Sequence, residues 1–187
     1  MTEPVTTDTQ RFVRSTWLLD RDLAYSRHYP AVSWTGSFAR DEEALGQWHT
    51  TNGDPGWAVR RARAAALLAE ADRLADLAEI VGVSSLPGHE RMVILGGRLL
   101  RDGVLMQNAL SENDAFCSAA KGAALLDLVL AVTDTCRSLV DRGVPATAIE
   151  KADLGPVIRA REETGPTDAA GVHTRRIEII RRLEDLT

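Results

Sequence analysis

Phosphoryl transfer needs a cradle of backbone amides and a lysine that reaches the phosphates, and the chain has no such pattern. Its two lysines are Lys121 and Lys151, and neither stands in G-x-x-x-x-G-K-[ST]. G-x-G-x-x-G, H-E-x-x-H and G-x-S-x-G are also missing. His28, His49, His89 and His173 are dispersed along the chain, without the spacing of a metal site. Cys117 and Cys136 fall inside helix-like patterns. Cys117 precedes Ser118, a plausible helix N-cap, and a helix start can activate a thiol. Two reduced, packed thiols are the simpler reading. Taken residue by residue, this is a helical domain without a catalytic centre.

Composition narrows the classes further. The chain has 187 residues, 22 basic against 27 acidic, and a net charge of −5. No basic block stands clear of acidic neighbours, which argues against a nucleic-acid partner. The pairs Arg175-Arg176 and Arg181-Arg182 fit a solvated helix face or an intersubunit contact. No apolar run approaches the roughly 20 residues of a membrane span, so direct membrane insertion is not expected. The start, MTEPVTTDTQ, lacks the basic and apolar regions of a secretory signal.

The elements that must position any site are mostly helical. Residues 1–10 read as a polar linker and 11–18 as a short strand. Asp20 can cap a helix running to about Arg27, and Tyr29-Pro30 stops it. The glycine- and proline-rich stretch 31–56 reads as irregular, with a short helix possible over 41–49. From 57 to 81 apolar residues recur at three- and four-residue steps, and Gly82 suits the C-terminal cap. Residues 83–90 form a turn. The next helix spans about 88–106. Its Gly96-Gly97 pair costs roughly 2 kcal/mol against alanine, which predicts a close packing partner. A third long helix covers about 118–142, with Leu125, Val129, Val132, Cys136 and Leu139 on one face. Shorter helices are expected near 145–152 and 154–161, and an amphipathic one over about 172–186. The fold class is mostly α, a helical bundle preceded by a short strand and linker.

Short segments in a fixed order carry a family resemblance. Glu3-Pro4-Val5-Thr6, Trp17-Leu-Leu-Asp20 and Arg27-His-Tyr-Pro-Ala-Val-Ser-Trp34 open the series. Glu79-Ile-Val-Gly82, Arg98-Leu-Leu-Arg-Asp102, Met106-Gln-Asn-Ala109, Asp114-Ala-Phe-Cys-Ser118 and Gly143-Val-Pro145 follow. Together they resemble the end of the catalytic A subunit of V/A-type rotary ATPases, where the nucleotide-binding domain runs into the helical domain. The F-type β subunit is similar more distantly, through Tyr29-Pro-Ala-Val32. The resemblance implies a boundary segment over 1–30, a helical domain over 31–165 and a C-terminal helix over 166–187. It also implies a phosphate loop upstream, so that the chain is a C-terminal piece with Met1 an added start. The alternative is a complete helical interaction module that kept the fold and lost the nucleotide.

What the resemblance implies for single residues is specific. Tyr29 falls where the family sets an aromatic ring against adenine; the alternative is a tyrosine packing a strand-to-helix junction. Leu110 and Phe116 fall where two aromatics close the adenine pocket, and leucine supplies contact without stacking. The alternative is that both fill the core. Gln107, Asn108 and Ala109 would line the same pocket. Residues 83–90 fall at the tip that presses on the rotor, so Ser84, Ser85, Leu86, Pro87, Gly88, His89 and Glu90 are expected rotor contacts, against the alternative of a plain exposed turn. Only Glu90 is acidic there, which favours contact by shape. A force-bearing tip requires Leu86 to be exposed; a buried Leu86 would make the segment a structural loop. ATP or ADP, with Mg²⁺ in the parent protein, would be the ligand. The partners would be neighbouring B subunits, the central rotor stalk and the remainder of the catalytic protein. The site would be the soluble, cytoplasmic ATPase head, peripheral to a membrane, with nucleotide turnover coupled to proton or sodium transport. Without the phosphate loop and a Mg²⁺-holding carboxylate, the isolated chain is expected to show no ATPase turnover above background in a coupled assay.

Overall fold

A computed structural model describes residues 8, 9 and 11–187; the Glu3-Pro4-Val5-Thr6 match and most of the linker lie outside the described residues. The chain divides into two compact units, 1–59 and 60–187. Among the described residues the architecture is a two-stranded antiparallel sheet and eight α-helices. None of these helices is long and apolar enough to cross a membrane.

The first unit begins with β1 (Ser15–Thr16), paired to β2 (Phe38–Ala39) in the register Ser15 with Ala39 and Thr16 with Phe38. The strand is shorter than the expected 11–18 because its partner offers only two residues. Beyond it, a single bridge joins Leu19 to Val32. Asp20 caps α1 (Arg21–Tyr25), its carboxylate accepting from the amides of Asp22 (2.8 Å) and Leu23 (3.0 Å). Arg27 then takes φ 61°, a left-handed conformation, and the His28 amide bonds back to the Leu23 carbonyl. That reversal ends the helix two residues earlier than expected. α2 (Glu42–Thr51) follows. The His49 ring stacks on Trp57 at 4.5 Å and 7° and meets Trp48 edge-on. Among the described residues of this unit His28 is the one fully buried side chain, whereas Phe12 and Trp17 are exposed.

The long helix α3 (Trp57–Val81) matches the sequence periodicity and ends at Gly82, whose φ is 84°. It buries Leu68, Ala71, Leu74 and Ala78. α4 (Gly88–Leu100) carries the two glycines as contact points. A Cβ at Gly97 would lie 2.3 Å from Ala71 Cβ, and one at Gly96 would lie 2.5 Å from Thr133 Cγ2. The close partners expected from the pair are therefore α3 on one side and α5 (Ala119–Asp141) on the other. Regular α4 stops six residues before the expected 106. A π-helical turn over Arg101–Leu105 continues it. A Cβ on Gly103 would sit 3.4 Å from the Val157 carbonyl, so another helix crosses here and the wider turn makes room. α5 is the centre of the unit. It buries Leu128, Val129, Val132, Cys136 and Leu139 and packs against α4 and the last helix. α6 (Ala146–Lys151), α7 (Gly155–Glu163) and α8 (Ala169–Glu184) complete the bundle. Asp168 caps α8 by accepting from the Gly171 amide (2.8 Å), which starts it earlier than the apolar stripe alone suggests.

Candidate functional site

The loop 106–118 is the segment with the most unusual distribution of side chains. Leu110 is 96% exposed and Phe116 62%. Neither fills the core, so that alternative is excluded. Gln107 and Ala109 are exposed or half-buried, as is Asn108. The loop has little backbone pairing of its own beyond two tight turns, with Ser111 N bonded to Asn108 O and both Asp114 N and Ala115 N to Ser111 O. Polar side chains fix it instead. The buried Asp114 carboxylate accepts from the Asn108 amide (2.5 Å) and from the Arg161 guanidinium. Gln107 Nε2 donates to the Asp114 carbonyl (3.0 Å), and Asn113 Nδ2 to the Glu162 carbonyl (2.8 Å). Gln107 thus holds the loop through its side chain, and Asn108 through its backbone amide and through its Oδ1, which accepts from the Leu110 amide (3.0 Å).

Tyr29 belongs to the first unit, and the other residues expected on the adenine side belong to the second. Its ring is half-exposed, and its hydroxyl donates to the Ala24 carbonyl at 3.5 Å.

The turn 83–90 departs from expectation at its centre. Leu86 is 7% exposed and buried. The expectation that Leu86 is offered to a partner is overturned: the segment 83–90 is a structural loop, and its reading as a force-bearing tip falls with it. The cause lies in the start of α4. A Cβ on Gly88 would meet Val140 Cγ1 at 2.9 Å and Ala146 Cβ at 3.6 Å, so the chain here is drawn against α5 and α6. His89 Nε2 and Asp141 Oδ1 form a 2.6 Å hydrogen bond, and Arg91 pairs with Glu150. Ser84, Ser85 and Pro87 remain exposed, and so do Ile80 (84%), Val81 and Val83. Glycine at Leu86 is consequently expected to cost about 2–4 kcal/mol in urea unfolding, rather than little, whereas glycine at Pro87 costs less than about 1 kcal/mol.

Burial disfavours the thiolate of both cysteines. Burial pushes the Cys117 thiol up despite the nearby Lys121 charge, and its Sγ–H donates to the Ser118 carbonyl (3.6 Å). Burial pushes Cys136 up to about 11. At pH 8 only about one Cys136 in a thousand is thiolate, so alkylation of Cys136 in the folded chain is expected to be far slower than in denaturant. A mass-spectrometric time course of labelling checks this.

Sequence reasoning missed Lys121 and Arg161. Lys121 is fully buried, and its Nζ donates to the carbonyls of Asn113 (2.7 Å), Arg161 (2.7 Å) and Thr164 (3.0 Å). The signal was present. Lys121 continues the apolar face Leu125, Leu128, Val132, Cys136 and Leu139 at steps of three and four, and a lysine on such a stripe needs an internal partner. The structure also forms a cleft of about 450 Å³ between α3, α4 and α5, floored by Leu67, Leu74, Val93 and Leu130. An Arg63–Asp134 ion pair of 2.5 Å lies at its edge.

Comparison with known proteins gives one family. The model of the C-terminal domain of V and A type ATP synthase matches residues 46–148, more than half of the chain. The alpha chain of a V-type ATP synthase from Nitrosococcus oceani is 40% identical over 159 residues, covering 85% of this chain and 27% of the relative. The A subunit of an A-type ATP synthase from Ignicoccus hospitalis is 34% identical over 187 residues, covering 98% and 30%. Its counterpart from Pyrococcus horikoshii is 37% identical over 163 residues, covering 87% and 16%. The chain thus spans less than a third of the length of each of these relatives.

Proposed function

The chain belongs to the family of C-terminal domains of V- and A-type ATP synthases, and from that membership we propose that it closes the adenine side of a nucleotide site and carries motion to a central rotor. The observation that supports this best is the pair Leu110 and Phe116, which stand exposed on a loop that buried charges fix from behind. Apolar side chains held outward on a fixed loop suit a flat heterocycle, by area burial and, for Phe116, stacking. Gln107, Asn108 and Ala109 line the approach on the same loop, and Tyr29 is proposed, by itself and from family membership, as a nucleotide contact of the first unit. The phosphates and Mg²⁺ are held by the remainder of the catalytic protein, and hydrolysis or synthesis occurs there beside a neighbouring B subunit.

Rotor contact is assigned to the exposed end of α3, through Ile80 and Val81, and not to the turn 83–90, which the buried Leu86 makes a structural loop. The helical unit swings with nucleotide occupancy, the rotor turns, and ions move through a membrane sector bound to the head. The test uses the assembled enzyme. Leu110→Asp with Phe116→Ala is expected to raise KM for ATP about tenfold, with kcat within about twofold, because the adenine contacts are made in ground and transition states alike. An unchanged KM would reject the adenine reading. A non-catalytic interaction module is the second reading, and it predicts that no nucleotide parameter moves.

A further inference from the structure

The loop 106–118 holds apolar side chains outward over a layer of buried polar and charged groups, one its own and three from α5 and the end of α7. Lys121, Asp114, Arg161 and Thr164 are all buried, while Leu110 and Phe116 face solvent. We propose that Lys121 and the Asp114–Arg161 pair are positioning residues that set the conformation in which Leu110 and Phe116 are presented; the identity of what they are presented to rests on the adenine reading above.

Three features support this. First, Lys121 joins three separate backbone sites, namely Asn113 in the loop, Arg161 near the end of α7 and Thr164 just beyond it. One ammonium group thereby fixes the loop to α7 with all three of its protons. Second, the Asp114 carboxylate divides between the Asn108 amide and Arg161, so the two ends of the loop tip share one anchor. Arg161 also pairs with Glu162 (3.1 Å), whose Oε2 accepts from Asn108 Nδ2 (3.4 Å). Third, the far end is tied as well, with Ser118 N donating to the Pro166 carbonyl (3.0 Å). Buried ion pairs are a poor route to stability, and well-packed apolar groups often do as well or better. Their return is a single geometry. A loop held by directional bonds cannot slide, whereas one held by apolar packing can re-pack.

The test follows amide hydrogen exchange in the 187-residue chain. Lys121→Met is expected to speed exchange of the amides between 108 and 116 by at least about tenfold, while amides within 125–136 of α5 stay within about threefold. Should Lys121→Met fail to fold, Asp114→Asn serves, since it keeps an acceptor for the Asn108 amide and removes the charge opposite Arg161. Unchanged exchange in the loop, or loss of protection spread equally over loop and α5, would overturn the proposal. The same variants in the assembled enzyme keep the two readings apart. A loosened loop with a raised KM for ATP and a nearly constant kcat supports both. A loosened loop with unchanged KM keeps the positioning role and rejects adenine as the partner.

Discussion

Arg161→Met is expected to destabilise the helical unit by about 3–5 kcal/mol, a large part of a domain's total stability. Arg161 and Asp114 have side chains only 7% and 5% exposed. Removing the guanidinium leaves a buried carboxylate whose remaining partner is one amide, that of Asn108. The cost is the desolvation of that charge, not the net worth of the pair. A companion variant separates the two. Arg161→Met combined with Asp114→Leu should recover much of the loss, because no buried charge is left. Recovery stays incomplete because the Asn108 amide then lacks its acceptor. Urea unfolding followed by circular dichroism gives both values. If the single variant cost less than about 1 kcal/mol, the pair would have to be hydrated rather than buried.

Gly97→Val carries the second large effect. Its Cβ would lie 2.3 Å from Ala71 Cβ, a backbone-proximal atom that cannot swing away. Helices α3 and α4 would have to separate, and α3 has few other anchors, with four buried residues along its 25. Valine recovers some helix propensity relative to glycine, but overpacking costs about 1–3 kcal/mol and more where the backbone must shift. A net loss of about 3 kcal/mol is expected. Adding Ala71→Gly should return about 1–2 kcal/mol, a coupling that neighbouring residues show and distant ones do not. Strict additivity in this double-mutant cycle would mean that the two helices do not meet at this point.

Helix positions were legible in the sequence wherever periodicity ran long. The α3 boundaries follow from the apolar steps between Trp57 and Val81 and from Gly82. The Ser118 cap and the Gly143 stop frame α5. The Gly96-Gly97 pair announced a close approach, though only the three-dimensional arrangement shows that it serves two neighbours at once. What the sequence concealed depends on contacts far apart in the chain. Leu86 sits between helix-breaking residues and reads as exposed, yet the approach of Val140 to Gly88, 52 residues later, pulls the turn inward (140 − 88). The π-helical turn at Gly103 answers the crossing of α7 at Val157, which no local pattern encodes. For the site, Leu110 and Phe116 were found by resemblance, and their exposure could not be read from a single chain. Lys121 is legible as a charge on an apolar stripe, but its three carbonyl partners lie up to 43 residues away in the chain.

The proposed contact of Leu110 and Phe116 with the adenine ring of a bound nucleotide is tested most directly by photolabelling of the assembled enzyme with an ATP analogue that carries its azide on the adenine ring, followed by peptide mapping. Label is expected within 107–116, suppressed by excess ATP and weakened by Leu110→Asp with Phe116→Ala. Specific label confined to segments outside 107–116, with that segment unmodified at full site occupancy, would contradict it.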